Sequence, residues 1–247
     1  MVVGVDDEGG KKLASSQNAI SLGMNSSAEW RITDLEESWT GVSFNLKDCD
    51  NHELLVKLPI PGLHNARNAA CAAVAGIIAG ADPNAVVKAL ERFGGVARRF
   101  EHRGQVAGVT FVDDYAHLPT EVSATISAAK TGNWNRLISV FQPHRYSRTE
   151  ALWSTFQDSF RGTDLLFVTD VYPSGEKARP GISGALIADA VSLSNPAFEV
   201  RYVPHRSDLI EALTSELREG DCCLTMGAGD LTSLPDEIQK MMRESNG

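Results

Sequence analysis

The chain is short of almost everything that would mark it as secreted, membrane-bound or nucleic-acid-binding. Its four cysteines, Cys49, Cys71, Cys222 and Cys223, form no Cys-x-x-Cys pair and have no histidine at metal-ligand spacing, so a disulfide framework or a zinc site is not expected. Reduced cytoplasmic thiols fit best, with adjacent Cys222 and Cys223 as small buried side chains in an apolar run. No apolar stretch approaches the roughly 20 residues that span a bilayer, and no basic-then-apolar leader opens the chain. Positive charge is also scarce. With 23 Lys and Arg against 32 Asp and Glu, the net charge of -9 argues against a nucleic-acid backbone or an anionic membrane as partner. Any anionic ligand must be held by local Arg and His groups. Repeats and low-complexity segments are missing too, and so is the phosphate-cradling Gly-x-x-x-x-Gly-Lys-[Ser/Thr] loop. Glu8-Gly9-Gly10-Lys11-Lys12 has neither its spacing nor its hydroxyl.

The 247 residues present, 43% of them hydrophobic, suffice for one large or two smaller cores. Up to about residue 60, short β-like runs alternate with turn residues, and Glu29 to Ile32 and Gly41 to Leu46 show the period of two expected of hairpin strands with one wet face. Met1 leads straight into a strand, which suggests that residue 1 does not begin a natural folding unit. An Ala-rich helix is expected over 65–81, closed by Gly80, and a second over 83–93 that starts at Asp82-Pro83. Gly94-Gly95 then breaks the chain. Beyond it, strands at 109–112, 137–141, 165–169, 199–203 and 222–226 alternate with helices at 119–130, 149–161, 182–193, 206–218 and 231–243. That alternation predicts parallel crossovers, so the fold class is α/β with a Rossmann-like, doubly wound, mostly parallel C-terminal sheet. The domain boundary is placed between 1–95 and 96–247.

Polar residues gather just after the apolar runs. Asp113-Asp114-Tyr115-Ala116-His117-Leu118-Pro119-Thr120-Glu121 follows the first strand beyond the break, and Gln142-Pro143-His144-Arg145-Tyr146-Ser147-Arg148-Thr149 follows the second. In open α/β sheets ligands bind outside the carboxyl ends of the strands. One of the two aspartates is expected to accept from a ribose hydroxyl or to cap the following helix, while Tyr115 and His117 face the cleft. His144, Arg145 and Arg148 form a cationic patch suited to carboxylates or phosphates. Asn65 and Asn68 share one face of the Ala-rich helix; Asn65 reads equally as an N-cap, whereas Asn68 carries the donor and acceptor pair that suits an adenine edge. Arg98 and Arg99 sit at the domain junction, where an arginine's planar fork suits phosphate. Asp170 to Lys177 ends the third strand, and Gly227-Ala228-Gly229-Asp230 leads into the last helix with backbone N–H groups that could hold an anion.

Taken together, His64 to Asn68, Gly95 to Glu101, Asp113 to Glu121, Phe141 to Thr149, Asp170 to Lys177 and Gly227 to Asp230 resemble, in order and over about 185 residues, the Mur ligases of bacterial cell-wall synthesis. The pattern is most similar to the member that joins L-alanine to UDP-N-acetylmuramate. The resemblance implies that 1–95 is the later part of an α/β ATPase central domain with antiparallel strands, and that 96–247 is the complete C-terminal domain. A P-loop half and a UDP-sugar domain would then be missing, and a chain without them is expected to be a fragment inert on its own. The implied reaction is ATP-dependent amide formation through an acyl phosphate. By the same resemblance Asn65 and Asn68 bind adenine, Arg99 the ATP phosphates and Asp114 the ribose. Tyr115, His117, His144, Arg145 and Arg148 would line the site for L-alanine and the reacting carboxyl, with His117, His144, Arg145 and Arg148 as catalytic groups. Magnesium ligands are expected outside this chain, so no metal site is assigned. One departure is Leu118, where the family usually has a second His. Two alternatives stay open: a murein peptide-recycling ligase of the same family, and a non-catalytic nucleotide-binding α/β module.

Overall fold

The computed structural model describes residues 1–245, with no account of the side chain of residue 245. The chain divides into two compact units, Met1–Gly95 and Val96–Gly247. No helix among the described residues is long and apolar enough to cross a membrane.

In the first unit, β1 (Val2–Gly4), β2 (Ile20–Gly23), β3 (Trp30–Ser38), β4 (Gly41–Lys47) and β5 (Glu53–Leu58) form one sheet in sequence order. β1 to β3 are parallel, the connection from β1 to β2 running through a helix, whereas β3 to β5 are antiparallel, as expected of hairpin strands. β4 shows why: Val42, Phe44 and Leu46 are buried while the residues between them are half-exposed. That apolar face packs on α2 (Leu63–Ile78) through Ala66, Ala69, Ala70, Ala73 and Val74, whose small side chains let helix and sheet approach closely. α3 (Pro83–Glu91) starts as expected, with Asp82 accepting from the Ala85 N–H at 3.0 Å and Pro83 in the first turn.

One helix escapes sequence reading and one expectation fails. α1 runs from Glu8 to Gln17, capped by Asp7, which accepts from the Gly10 N–H at 2.8 Å. Two glycines hid this helix from pattern reading, yet Gly10 is required, because a Cβ there would lie 1.9 Å from the Gly4 carbonyl oxygen. Asn65 is not an N-cap. Gly62, at φ 99, takes that position without a side-chain bond, and the Asn65 amide instead donates to the Pro61 carbonyl at 2.8 Å.

The second unit is a six-stranded sheet flanked by helices on both faces. Its elements are β6 (Glu101–Val106), β7 (Val109–Asp114), α4 (Pro119–Ala129), β8 (Leu137–Phe141), α5 (Tyr146–Leu152), β9 (Leu165–Val168), α6 (Ala185–Ser194), β10 (Glu199–Tyr202), α7 (Arg206–Glu216), β11 (Cys222–Met226) and α8 (Leu234–Ser245). The strand order is β10-β9-β8-β11-β7-β6, parallel throughout except for β6 against β7. Every residue of β7, β8, β9 and β11 is buried, the pattern of strands covered on both sides. Val112, Phe141, Leu166 and Leu224 enter a core beneath α4 and α6, whereas Phe111, Ile138, Phe167 and Cys223 enter another beneath α7 and α8. Cys222 and Cys223 thus face opposite cores, and burial pushes the Cys222 thiol up to about 12 and Cys223 upward as well, which leaves both protonated and inert.

β6 escaped sequence reading because Glu-His-Arg-Gly-Gln-Val is an edge strand with a bulge between His102 and Gly104 and little apolar content. The helix expected over 149–161 starts earlier, at Tyr146, and tightens into a 3-10 turn over Trp153–Phe156. At the last crossover a 3-10 turn, Asp230–Ser233, precedes α8. The parallel sheet brings the carboxyl ends of β7, β8, β9 and β11 to one edge.

Candidate active site

Four loops meet at that edge, and main-chain bonds hold them together. The loops after β8 and β9 are zipped by Tyr172 N–H to Pro143 O (2.9 Å) and Arg145 N–H to Tyr172 O (2.8 Å). The loop after β7 is tied to the segment before β6 by Tyr115 N–H to Arg98 O (2.7 Å), and to the loop after β11 by Gly227 N–H to Asp114 O (3.1 Å). On this frame stands a continuous row of rings. Tyr115 meets His117 edge-on at 5.4 Å between centroids, His117 meets His144 at 5.7 Å, and His144 stacks on Tyr172 at 5.7 Å. The guanidinium groups of Arg98 and Arg99 lie over the Tyr115 ring at 4.9 and 5.6 Å.

The two histidines use Nδ1 in opposite roles. His117 Nδ1 lies 3.0 Å from the Tyr115 carbonyl oxygen and 3.4 Å from Glu121 Oε2, both acceptors, so Nδ1 is a donor. His144 Nδ1 lies 3.0 Å from Arg148 Nη1, which can only donate, so this nitrogen is the acceptor and Nε2 carries the proton. Burial, and then the neighbouring charges of Arg148, His117 and Arg145, push the His144 imidazolium down to about 4. The expected cationic patch of three therefore needs correcting. At neutral pH His144 is a neutral donor, and Arg145 and Arg148 carry the positive charge.

Arg145 is exposed, and its backbone is unusual, with φ 70 and ψ 134. A side chain rarely adopts that region; it is held there by the Tyr172 bond and by its own carbonyl, which accepts from Thr149 N–H (3.0 Å) and Thr149 Oγ1 (2.9 Å). Arg148 is half-buried beside His144. Glu176 secures the start of α5 by accepting from Ser147 N–H (2.9 Å) and Oγ (2.5 Å), bonds that hold its carboxyl below the usual range.

The aspartate pair also departs from expectation. Neither residue is a free carboxylate, and neither caps α4; Glu121 accepts from the Leu118 N–H at 3.1 Å and the His117 N–H at 3.0 Å instead. Asp114 is only 4% exposed and accepts from Phe100 N–H (2.8 Å) and Ala116 N–H (2.7 Å). Burial raises its pKa in spite of these bonds. Its first task is to shape the Tyr115–His117 loop. Asp113 is bonded by Thr225 Oγ1 and Thr232 Oγ1, both at 2.7 Å, and pairs with Arg98 at 3.4 Å. Arg98 in turn donates to the Gly227 carbonyl at 2.6 Å, which leaves Arg99 as the exposed member of the arginine pair.

Tyr115, His117, His144, Arg145, Arg148 and Arg99 thus gather at one sheet edge, joined by Asp114 from beneath. Asn65 and Asn68 lie in the other unit, three residues apart on α2, half-buried and exposed respectively. Sequence reading missed Tyr172 as a member of the site, along with Glu121 and Glu176 as its supports. Tyr172 follows the third strand end, so the position rule that singled out the first two loops applied to it as well.

Residues 98–229 match the Mur ligase glutamate ligase domain, and residues 1–76 the Mur ligase middle domain. The chain belongs to the Mur ligase family. It is 40% identical over 250 aligned positions to the UDP-N-acetylmuramate–L-alanine ligase of Kineococcus radiotolerans, an alignment that takes in 99% of this chain and 52% of that protein. The crystal structure of the UDP-N-acetylmuramate–alanine ligase of Thermotoga maritima superimposes with a TM-score of 0.80 at 26% identity, covering 99% of this chain and 51% of the other. The MurF ligase of the same organism, in complex with ADP, matches with a TM-score of 0.71 at 16% identity, covering 99% of this chain and 54% of that one. The chain spans about half the length of the relatives it matches.

Proposed function

We propose that this Mur ligase chain serves the ATP-dependent joining of L-alanine to UDP-N-acetylmuramate, a step in peptidoglycan precursor synthesis in the cytoplasm. The observation that carries the reading is the pair of adjacent histidines, one engaged as a donor and the other as an acceptor at Nδ1, flanked by two arginines at the carboxyl edge of a parallel sheet. In the proposed reaction the sugar's carboxylate takes the γ-phosphoryl group of ATP to become an acyl phosphate. The amine of L-alanine attacks the acyl carbon, and inorganic phosphate leaves.

Each side chain has work suited to its state. Arg145 and Arg148 hold the alanine carboxylate by charge-assisted hydrogen bonds. His117 Nε2, aimed by the bonds that engage Nδ1, takes the proton that the attacking amine sheds. His144 Nε2–H donates to the oxyanion of the tetrahedral intermediate, where a preorganised donor acts most strongly. Tyr115 walls the site. Arg99 binds the ATP phosphates, Asn65 and Asn68 the adenine, and Asp114 holds the loop beside the ribose; the ADP complex of the MurF relative supports an adenine nucleotide as ligand. Magnesium does not fit the residues of this edge, because Asp113, Asp114, Glu121 and Glu176 already serve donors of the protein. No step is assigned to it.

The test is phosphate release by the longest chain that its gene encodes, supplied with ATP and UDP-N-acetylmuramate or the unsubstituted sugar acid. Release that depends on L-alanine is expected. Release that depends on a tripeptide instead would assign the chain to peptide recycling, and nucleotide binding without any turnover would make it a binding module.

A further inference from the structure

A free amino acid is a zwitterion, and the charged groups described so far neutralise only one end of it. Arg145 and Arg148 suit the carboxylate, and the ammonium still lacks an anion. Most carboxylates bordering the row of rings are engaged: Glu176 by Ser147, Glu121 by the His117 and Leu118 amides, Asp113 by two threonines and Arg98, and Asp170 by the Val171 and Gly184 amides. Asp230 differs. It is exposed at the end of the loop after β11, and one of its oxygens accepts from Gln142 Nε2 at 2.8 Å.

Gln142 makes that contact informative. It sits at the carboxyl end of β8, two residues before His144, and is only 8% exposed. A carboxylate can only accept, so the contact with Asp230 fixes the amide with its nitrogen toward Asp230 and its oxygen turned away. That oxygen is buried and has no hydrogen-bond partner. An orphaned buried acceptor is costly, about 1–3 kcal/mol, unless a ligand completes it. It faces the Gly229 corner, where a Cβ would lie 2.5 Å from the oxygen and 2.4 Å from Tyr172 Cγ. Glycine therefore keeps a donor-seeking oxygen, an exposed carboxylate and the Tyr172 ring in one corner, and that ring stacks on His144.

We infer that Asp230, oriented by the buried amide of Gln142, is the carboxylate that receives the ammonium group of the incoming amino acid, with the free Gln142 oxygen as second acceptor. This rests on the amino-acid ligase reading of the same site. An ammonium offers three N–H donors, enough for both acceptors, and the Tyr172 face adds a favourable surface for a cation. Gln142 is here a positioning residue as well as a ligand, because it sets where the Asp230 carboxylate points.

The experiment is an NMR titration of the 247-residue chain with L-alanine and, separately, with propionate, which keeps the carboxylate and lacks the amine. L-alanine is expected to bind at least about tenfold more tightly than propionate and to move the Gln142 side-chain amide signal, a gap of about 1.4 kcal/mol or more. Asp230→Asn and Gln142→Leu should each remove that advantage and leave propionate affinity unchanged. A loss of both ligands on Gln142→Leu would mean a purely structural role and overturn its part. L-alanine affinity unaltered by Asp230→Asn would overturn the inference while sparing the ligase reading. Absence of L-alanine binding to the unmodified chain up to high millimolar concentration would sink both.

Discussion

The two units handle their sheets differently. In Met1–Gly95 the strands β4 and β5 alternate buried with exposed residues, and the candidate ligands Asn65 and Asn68 sit on a helix. In Val96–Gly247 the central strands are buried along their whole length, and the candidate ligands sit in loops at the strand ends. A strand buried on both faces has no side chain to present along its length, so polar chemistry is displaced to its tip. The second unit accordingly concentrates six site residues at one edge, whereas the first offers two amides on a helical face.

The largest effect that would sharpen this contrast comes from the first unit's core. Phe44 is fully buried against α2, and Phe44→Ala should destabilise that unit by about 3–5 kcal/mol in urea unfolding. The His117 and His144 ring signals in the second unit should stay where they are; if they shift as much as signals from α2, the two units do not carry separate tasks.

A smaller effect belongs to the half-buried His144. Its folded pKa of about 4 lies below the ordinary 6.5, so the unfolded chain takes up the proton first. The stability contributed by keeping this ring neutral is fully present above about pH 6.5 and is lost as pH falls toward 4. His144→Gln should flatten that part of the stability profile, read from unfolding midpoints between pH 7 and pH 4, and the same profile in Arg148→Ala should also flatten, since one of the charges that lowers the pKa is gone. An unchanged slope in His144→Gln would mean that folding does not lower the affinity of this ring for a proton.

The smallest effect, and the one opposite in sign, is at Arg145. Its backbone at φ 70 and ψ 134 suits glycine, so Arg145→Gly should raise stability by about 1 kcal/mol through relief of strain while weakening the hold on a carboxylate ligand. Lower stability in that variant would show that the arginine side chain contributes more to the fold than its backbone costs.

Much of the fold could be read from the residues. Runs such as Leu137 to Phe141 and Cys222 to Met226 are short, mostly apolar and bounded by turns, and that marks strands of a doubly covered sheet. α1 and β6 could not be read that way. Gly9-Gly10 opposes helix by propensity, and only the close approach of Gly10 to the Gly4 carbonyl explains it; β6 lies at an edge, where one face needs no apolar cover. The site was legible as a set of loops and not as a set of roles. Arg98 and Arg99 are equivalent in sequence, yet the first is tied to Asp113 and Gly227 and the second is exposed.

Residue order alone determined that two polar loops follow two buried strands, since side-chain hydrophobicity dictates which runs go inside and chain continuity puts the next residues at their ends. It also determined the acidic balance that leaves anion binding to a few arginines and histidines. Charge state and direction were decided only by tertiary packing. His144 became a neutral donor because it is buried beside Arg148, His117 a donor at Nδ1 because a carbonyl and Glu121 face that nitrogen, and Asp114 a brace because the amides of Phe100 and Ala116 converge on it. A side chain's pKa and hydrogen-bond partners are properties of its surroundings, and those exist only after the chain has folded.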